Sequence, residues 1–159
     1  MSDDAHDDPK HLEDLMDPGT TLMVGAGTPL DFRPLTVARV ERDRIDVVID
    51  DREHWAAVFR DHDPVHVTLS DDRSSSWASI RGTGTLSKDP ALIDELWNPF
   101  AAAYFDEGRE SPGVAAFTIR VDEGRYWSTA SGRIGSLISV VRAALGSAED
   151  SGEHGDIAV

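Results

Sequence analysis

The chain has 159 residues, a length that suits one domain and leaves little room for a second independent core. It carries a formal charge of −15 and no cysteine, which excludes disulfides, thiol nucleophiles, iron–sulfur clusters and cysteine-based zinc sites. Nucleic acid and anionic membrane are not expected partners, because phosphate neutralisation needs clustered Lys and Arg.

Much of the acid sits at the ends, with seven acidic residues against Lys10 in residues 1–17 and four in residues 147–159. Asp outnumbers Glu by 21 to 9, and lysine occurs only at Lys10 and Lys88. That balance predicts a surface solvated in a salty, halophilic cytoplasm. No run of 18 apolar residues occurs, and MSDDAHDD is acidic where a secretory leader is basic, so a cytoplasmic location is expected.

In chain order, Asp8-Pro9 reads as a cap with proline at the first helical position, opening a short helix that Pro18-Gly19 ends. Thr20 to Ala26 and Phe32 to Val40 are rich in β-branched and apolar residues and flank the turn-forming Gly27 to Asp31, the pattern of a hairpin. Glu41-Arg42-Asp43 turns the chain into a third strand, Arg44 to Ile49. Asp50 or Asp51 then caps a helix over REHWAAVFRDH, where Trp55, Val58 and Phe59 recur at helical spacing. Val65, Val67 and Leu69 alternate with His66 and Thr68, a half-buried strand. Trp77 to Leu86 forms the next strand, interrupted by Gly82 and Gly84, which mark a bulge, a barrel corner or a close approach. Asp89-Pro90 opens a helix that Pro99 kinks or divides. Val114 to Val121 and Arg125 to Thr129 read as a hairpin across Asp122-Glu123-Gly124. Residues 134–145 form a last amphipathic segment.

The expected domain thus spans residues 9–146, between a disordered acidic N-terminus over 1–8 and a disordered acidic tail over 147–159. About seven strands linked by short turns favour antiparallel pairing in a mainly β (α+β) fold with peripheral helices, and such sheets tend to close and hide their edges.

Most local motifs have a structural explanation. Gly25-Ala26-Gly27 begins like a dinucleotide fingerprint, yet the third glycine is missing and a strand follows. His62 and His66 straddle Pro64, which separates a helix end from a strand, so no metal site is expected. Ser74-Ser75-Ser76 lacks a nucleophile elbow. Asp50, Asp51 and Glu53 are accounted for by helix capping, and the four tryptophans by core or interface. Arg33-Pro34 stands apart: a mid-strand arginine beside a residue that cannot donate to the ladder signals special local geometry, and arginine forks phosphate.

FRPLTV, RIDVVIDD, DPVHVTL, WASIRGTGTL, DELWNPFAAAYF with DEGRESPG, and RYWS occur in an order and spacing that resemble the pyridoxamine 5′-phosphate oxidase-like family, in its general stress protein 26 branch. The resemblance covers roughly residues 10 to 130. It implies an antiparallel split β-barrel that forms a homodimer, with flavin mononucleotide (FMN), or alternatively the deazaflavin F420, in clefts between subunits. It further implies an oxidoreductase, or else a flavin- or deazaflavin-binding stress protein without catalysis, or a member that has lost its cofactor. By position it assigns cofactor contacts to Arg33, Pro34 and Leu35, to Ile49 and Asp50, and to Trp77 and Ser79, with Gly82 allowing close backbone approach. The family's phosphate-binding lysine is absent after the third strand, where Arg52 or His54 stands in. No catalytic acid or base is assigned, and the substrate is unknown.

Overall fold

The computed structural model describes residues 10–59, 63–129 and 152–159. Its strands are β1 (Lys10–His11), β2 (Thr21–Ala26), β3 (Asp31–Glu41), β4 (Arg44–Asp50), β5 (Asp63–Asp71), β6 (Ser76–Ser87), β7 (Val114–Thr129) and β8 (Gly152–Ala158). The helices are α1 (Leu12–Leu15), α2 (Pro90–Leu96) and α3 (Pro99–Tyr104), with 3-10 turns at His54–Phe59 and Gly108–Glu110. The sheet runs β1-β8-β7-β4-β3-β2-β5-β6, and β6 also pairs with β7. Six strands therefore close into an antiparallel barrel, while β8 and β1 lie outside it on the far end of β7.

Alternation explains the barrel interior. Leu22 and Val24 of β2, Ile45, Val47 and Ile49 of β4, Val65, Val67 and Leu69 of β5, and Ala78 and Ile80 of β6 are all buried in one cluster. Residues 114–117 of β7 do not alternate; Val114, Ala115, Ala116 and Phe117 are all buried. Ala115 and Phe117 fill the barrel. Val114 and Ala116 face outward, under Ile93 and Leu96 of α2 and under Phe105. A strand covered on both faces reads as a continuous apolar run.

Two glycines behave as their place in a strand predicts. A Cβ at Gly82 would overlap the Arg120 carbonyl oxygen, at the register shift between Arg81 and Gly82. One at Gly84 would lie 2.5 Å from the Phe117 ring. Pro99 divides the helical segment as expected: the Asn98 side chain accepts from the N–H groups of Phe100 (2.9 Å) and Ala101 (3.0 Å) and starts α3 afresh.

Several expectations need correction. Asp122-Glu123-Gly124 is not a hairpin turn; β7 runs through it, and β6 pairs along its length. The extra residue is absorbed as the bulge opposite Arg81 and Gly82. The segment after β4 forms a 3-10 helix over His54–Phe59 instead of an α-helix, and the Asp50 carboxylate accepts from the Arg52 N–H and guanidinium in the turn before it; residues 60–62 of the expected helix lie outside the described residues. α1 is a single turn starting at Leu12. Gly152–Ala158, within the expected disordered tail, is a strand antiparallel to β7 and parallel to β1. Its one large apolar residue, Ile157, is buried and lies over Gly124. The expected segment 134–145 and the N-terminal stretch 1–8 lie outside the described residues.

Candidate functional site

The barrel opens at a seam between β3 and β4. β3 and β4 hold register from Glu41↔Arg44 to Val37↔Val47 and no further. Beyond that point residues 31–36 of β3 pair only with β2, and Val48, Ile49 and Asp50 of β4 pair only with β7. A cleft of about 350 Å³ fills the seam. β3 contributes Arg33, Pro34, Leu35, Thr36 and Ala38, and β4 contributes Val48, Ile49 and Asp50.

This geometry explains the proline. Val37 bonds through both main-chain groups towards the β2 side, donating to Thr20 and accepting from Gly19, each at 2.8 Å. Main-chain groups alternate along a strand, so those of Thr36 and Pro34 turn to the seam. Pro34, which has no N–H, thereby costs the β2–β3 ladder nothing.

Helix α3 straps the mouth, with Phe100, Ala101 and Tyr104 lining the cleft. The Phe100 ring packs on Gly19, whose φ of +94° belongs to the turn before β2 and where a Cβ would come within 3.0 Å of the ring. Four residues on, the Tyr104 hydroxyl donates to Glu53 Oε1 at 3.1 Å. The strap therefore bridges from the β2 side of the seam to the exit of β4. Trp55 closes the floor, half-buried and edge-on to Phe117 at 6.3 Å between ring centroids.

Ion pairs surround the cleft. Arg33 Nη2 meets Asp31 Oδ2 at 2.9 Å, both side chains about half exposed. Arg52 grips Asp50 with two bonds, Nε to Oδ1 at 2.9 Å and Nη2 to Oδ2 at 2.7 Å, and its own N–H donates to Oδ1 at 3.0 Å. That fork holds the Asp50 carboxyl below its usual range. Lys88 reaches Asp51 at 3.1 Å and donates to the carbonyls of Pro112 and Val114. Desolvation, and then the bond to Glu53, raise the Tyr104 phenol above its ordinary value.

Of the residues assigned from sequence, Arg33, Pro34, Leu35, Ile49 and Asp50 meet in this one cleft. Arg52 stands behind Asp50 and does not line it. Trp77 and Ser79 lie elsewhere, on the exposed outer face of β6, where Trp77 is directly opposite the equally outward Trp127. His54 is exposed and does not line the cleft. Glu53, Trp55, Phe100 and Tyr104 were not assigned to a site. The signal for the last two was their spacing of four after the Asn98-Pro99 cap, which puts them on one helix face.

The fold and cleft define a split β-barrel with a ligand-sized, mainly apolar opening in its seam. The family model described as "Pyridoxamine 5′-phosphate oxidase like" matches residues 7–150, and the chain belongs to that family. A structure from Jannaschia sp. CCS1 described as a general stress protein 26 superposes with a TM-score of 0.72 at 23% identity, over 88% of this chain and 90% of that one. The general stress FMN/FAD binding protein of Xanthomonas citri is 28% identical with a TM-score of 0.63, over 72% and 83%. A general stress family protein of Xanthomonas campestris is 27% identical with a TM-score of 0.62, over 72% and 81%. No curated protein matches the chain.

A flavin has two parts to accommodate. The apolar walls and three aromatic side chains fit its tricyclic ring. Among the described residues, the cations at and beside the cleft, Arg33, Arg52 and Lys88, each hold a carboxylate partner that a phosphate would have to compete with.

Proposed function

We propose that the chain is a flavin-binding protein of the general stress protein 26 type, with the ring in the seam between β3 and β4. The observation that carries this reading is the cleft itself, which brings five of the eight assigned residues together under an aromatic strap. Leu35 and Ile49 offer apolar contact to the ring, and the main-chain groups of Pro34 and Thr36 face its edge. A bound flavin supplies hydride or electron transfer, and the protein supplies orientation and exclusion of water. On this reading the protein is a flavin-dependent oxidoreductase.

A homodimer belongs to the same proposal. Trp77 and Ser79, absent from their own cleft, share an exposed sheet face with Met23, Thr68 and Trp127. Pairing of two barrels through that face would bring them to the partner's cleft. Light scattering after gel filtration tests it, and a monomer at micromolar concentration would reject it.

One observation favours a second reading, that of a flavin or deazaflavin binder without turnover: the acids at the cleft are engaged, Asp50 by Arg52 and Glu53 by Tyr104. Flavin absorption of the purified protein, titration with FMN and deazaflavin, and bleaching by reduced nicotinamide cofactor separate the cases. Colourless protein that takes up neither ligand defeats both readings. A loaded protein that no reductant bleaches selects the second.

A further inference from the structure

FMN differs from riboflavin by a phosphate dianion, and a site that prefers the phosphorylated form needs cations or N–H groups aimed at it. Among the described residues, three ion pairs at and beside the cleft, with Glu53, leave one net negative charge. The pairs resist a phosphate for different reasons. Arg33 and Asp31 stand two apart on one strand and so share a face. An anion that reaches Arg33 meets the Asp31 carboxylate as well, even though exchanging partners in so exposed a pair costs little.

Arg52 is held more firmly. Asp50 is only 15% exposed, and freeing Arg52 would leave that carboxylate largely out of water without a partner. The pair also packs over Gly113, where a Cβ would overlap Asp50 Oδ1 and sit 2.5 Å from Arg52 Nε. Lys88 is anchored by two main-chain carbonyls, at 2.9 and 3.0 Å, in addition to Asp51. It neutralises Asp51, the residue after Asp50.

We infer that the cleft accepts the tricyclic head of a flavin and gains no affinity from the 5′-phosphate, so that its ligand class includes riboflavin on equal terms with FMN. The inference rests on the flavin reading above. It names Asp31 and Asp50 as the residues that set this selectivity, Asp31 by repelling an anion that reaches Arg33 and Asp50 by holding Arg52.

The experiment is a titration of the full-length protein with riboflavin and with FMN, followed by flavin fluorescence at low salt and at roughly 0.3 M potassium chloride. The expected result is dissociation constants within about threefold of each other, with FMN binding no weaker at the higher salt. Asp31→Asn, which removes the carboxylate beside Arg33, should tighten FMN relative to riboflavin about tenfold, the scale of one charge-assisted contact. FMN binding more than about tenfold tighter than riboflavin in the unaltered protein overturns the inference and leaves the flavin reading standing. Binding of neither ligand overturns both.

Discussion

Asp50, the last residue of β4, and Arg52 in the turn after it form a bidentate pair in which Asp50 lines the cleft and Arg52 backs it, with bond lengths of 2.9 and 2.7 Å. Gly113 leaves the room they occupy. The pair therefore links the rim of a ligand site to the packing of the loop before β7.

The pair gives stability a defined pH dependence. Asp50 has a folded pKa below its unfolded one, so its contribution is fully present above the ordinary Asp range near about pH 4 and is lost as pH falls through the folded value. Asp50→Asn should be less stable than the parent protein at neutral pH by urea unfolding, with the gap narrowing towards about pH 3. A gap that stays constant over that range would show that Asp50 gains nothing from its charge.

Gly82 tests the bulge. A methyl group there meets the Arg120 carbonyl oxygen, which is main chain and cannot rotate away. Gly82→Ala should cost about 2–4 kcal/mol, read from the urea midpoint. A cost below about 0.5 kcal/mol would mean that the β6–β7 register tolerates slippage at this point.

Asp46 tests the outer layer. It is fully buried and accepts from Arg39 Nε at 2.8 Å, Arg44 Nε at 3.0 Å and the Thr118 hydroxyl at 2.6 Å, while Arg39 also reaches Glu95 of α2. Asp46→Ala leaves two guanidinium groups facing a void and should destabilise by about 3–5 kcal/mol. The helical layer should loosen first, seen as faster amide exchange in α2 than in β5. Uniform exchange across both elements would assign Asp46 to the barrel as a whole.

Much of this was legible in the sequence. The six barrel strands follow from alternation in stretches such as Val65 to Leu69 and from turn chemistry between them. The family blocks supplied the split barrel and a cleft between subunits; the seam between β3 and β4 of one chain was not among the expectations. Asp122-Glu123-Gly124 misled because turn residues also serve a bulge, and local composition does not tell which. β8 was hidden because GEHGDIA offers one large apolar residue, Ile157, whose value depends on a glycine more than 30 positions away. One ion pair was within reach: Asp31 and Arg33 stand at the spacing of two that puts side chains on one strand face, whereas Asp50 and Arg52 meet across the turn that follows β4. What no sequence pattern showed was that α3 lies across the seam.

The surface charge makes a further prediction. A net charge of −15 repels itself, and roughly 1 M potassium chloride shortens the screening length to about 3 Å. The melting temperature should rise between low and molar salt. A flat or falling curve would reject the salty habitat that the Asp-rich composition points to.

Parallel pairing of β1 with β8 sets Lys10 beside Ile157 and His11 beside Ala158. The first and the last described residues thus lie side by side at one edge of the sheet. A linker of a few residues joining the two would let the polypeptide be reopened at a surface turn such as Arg42-Asp43 while every strand of the barrel is kept.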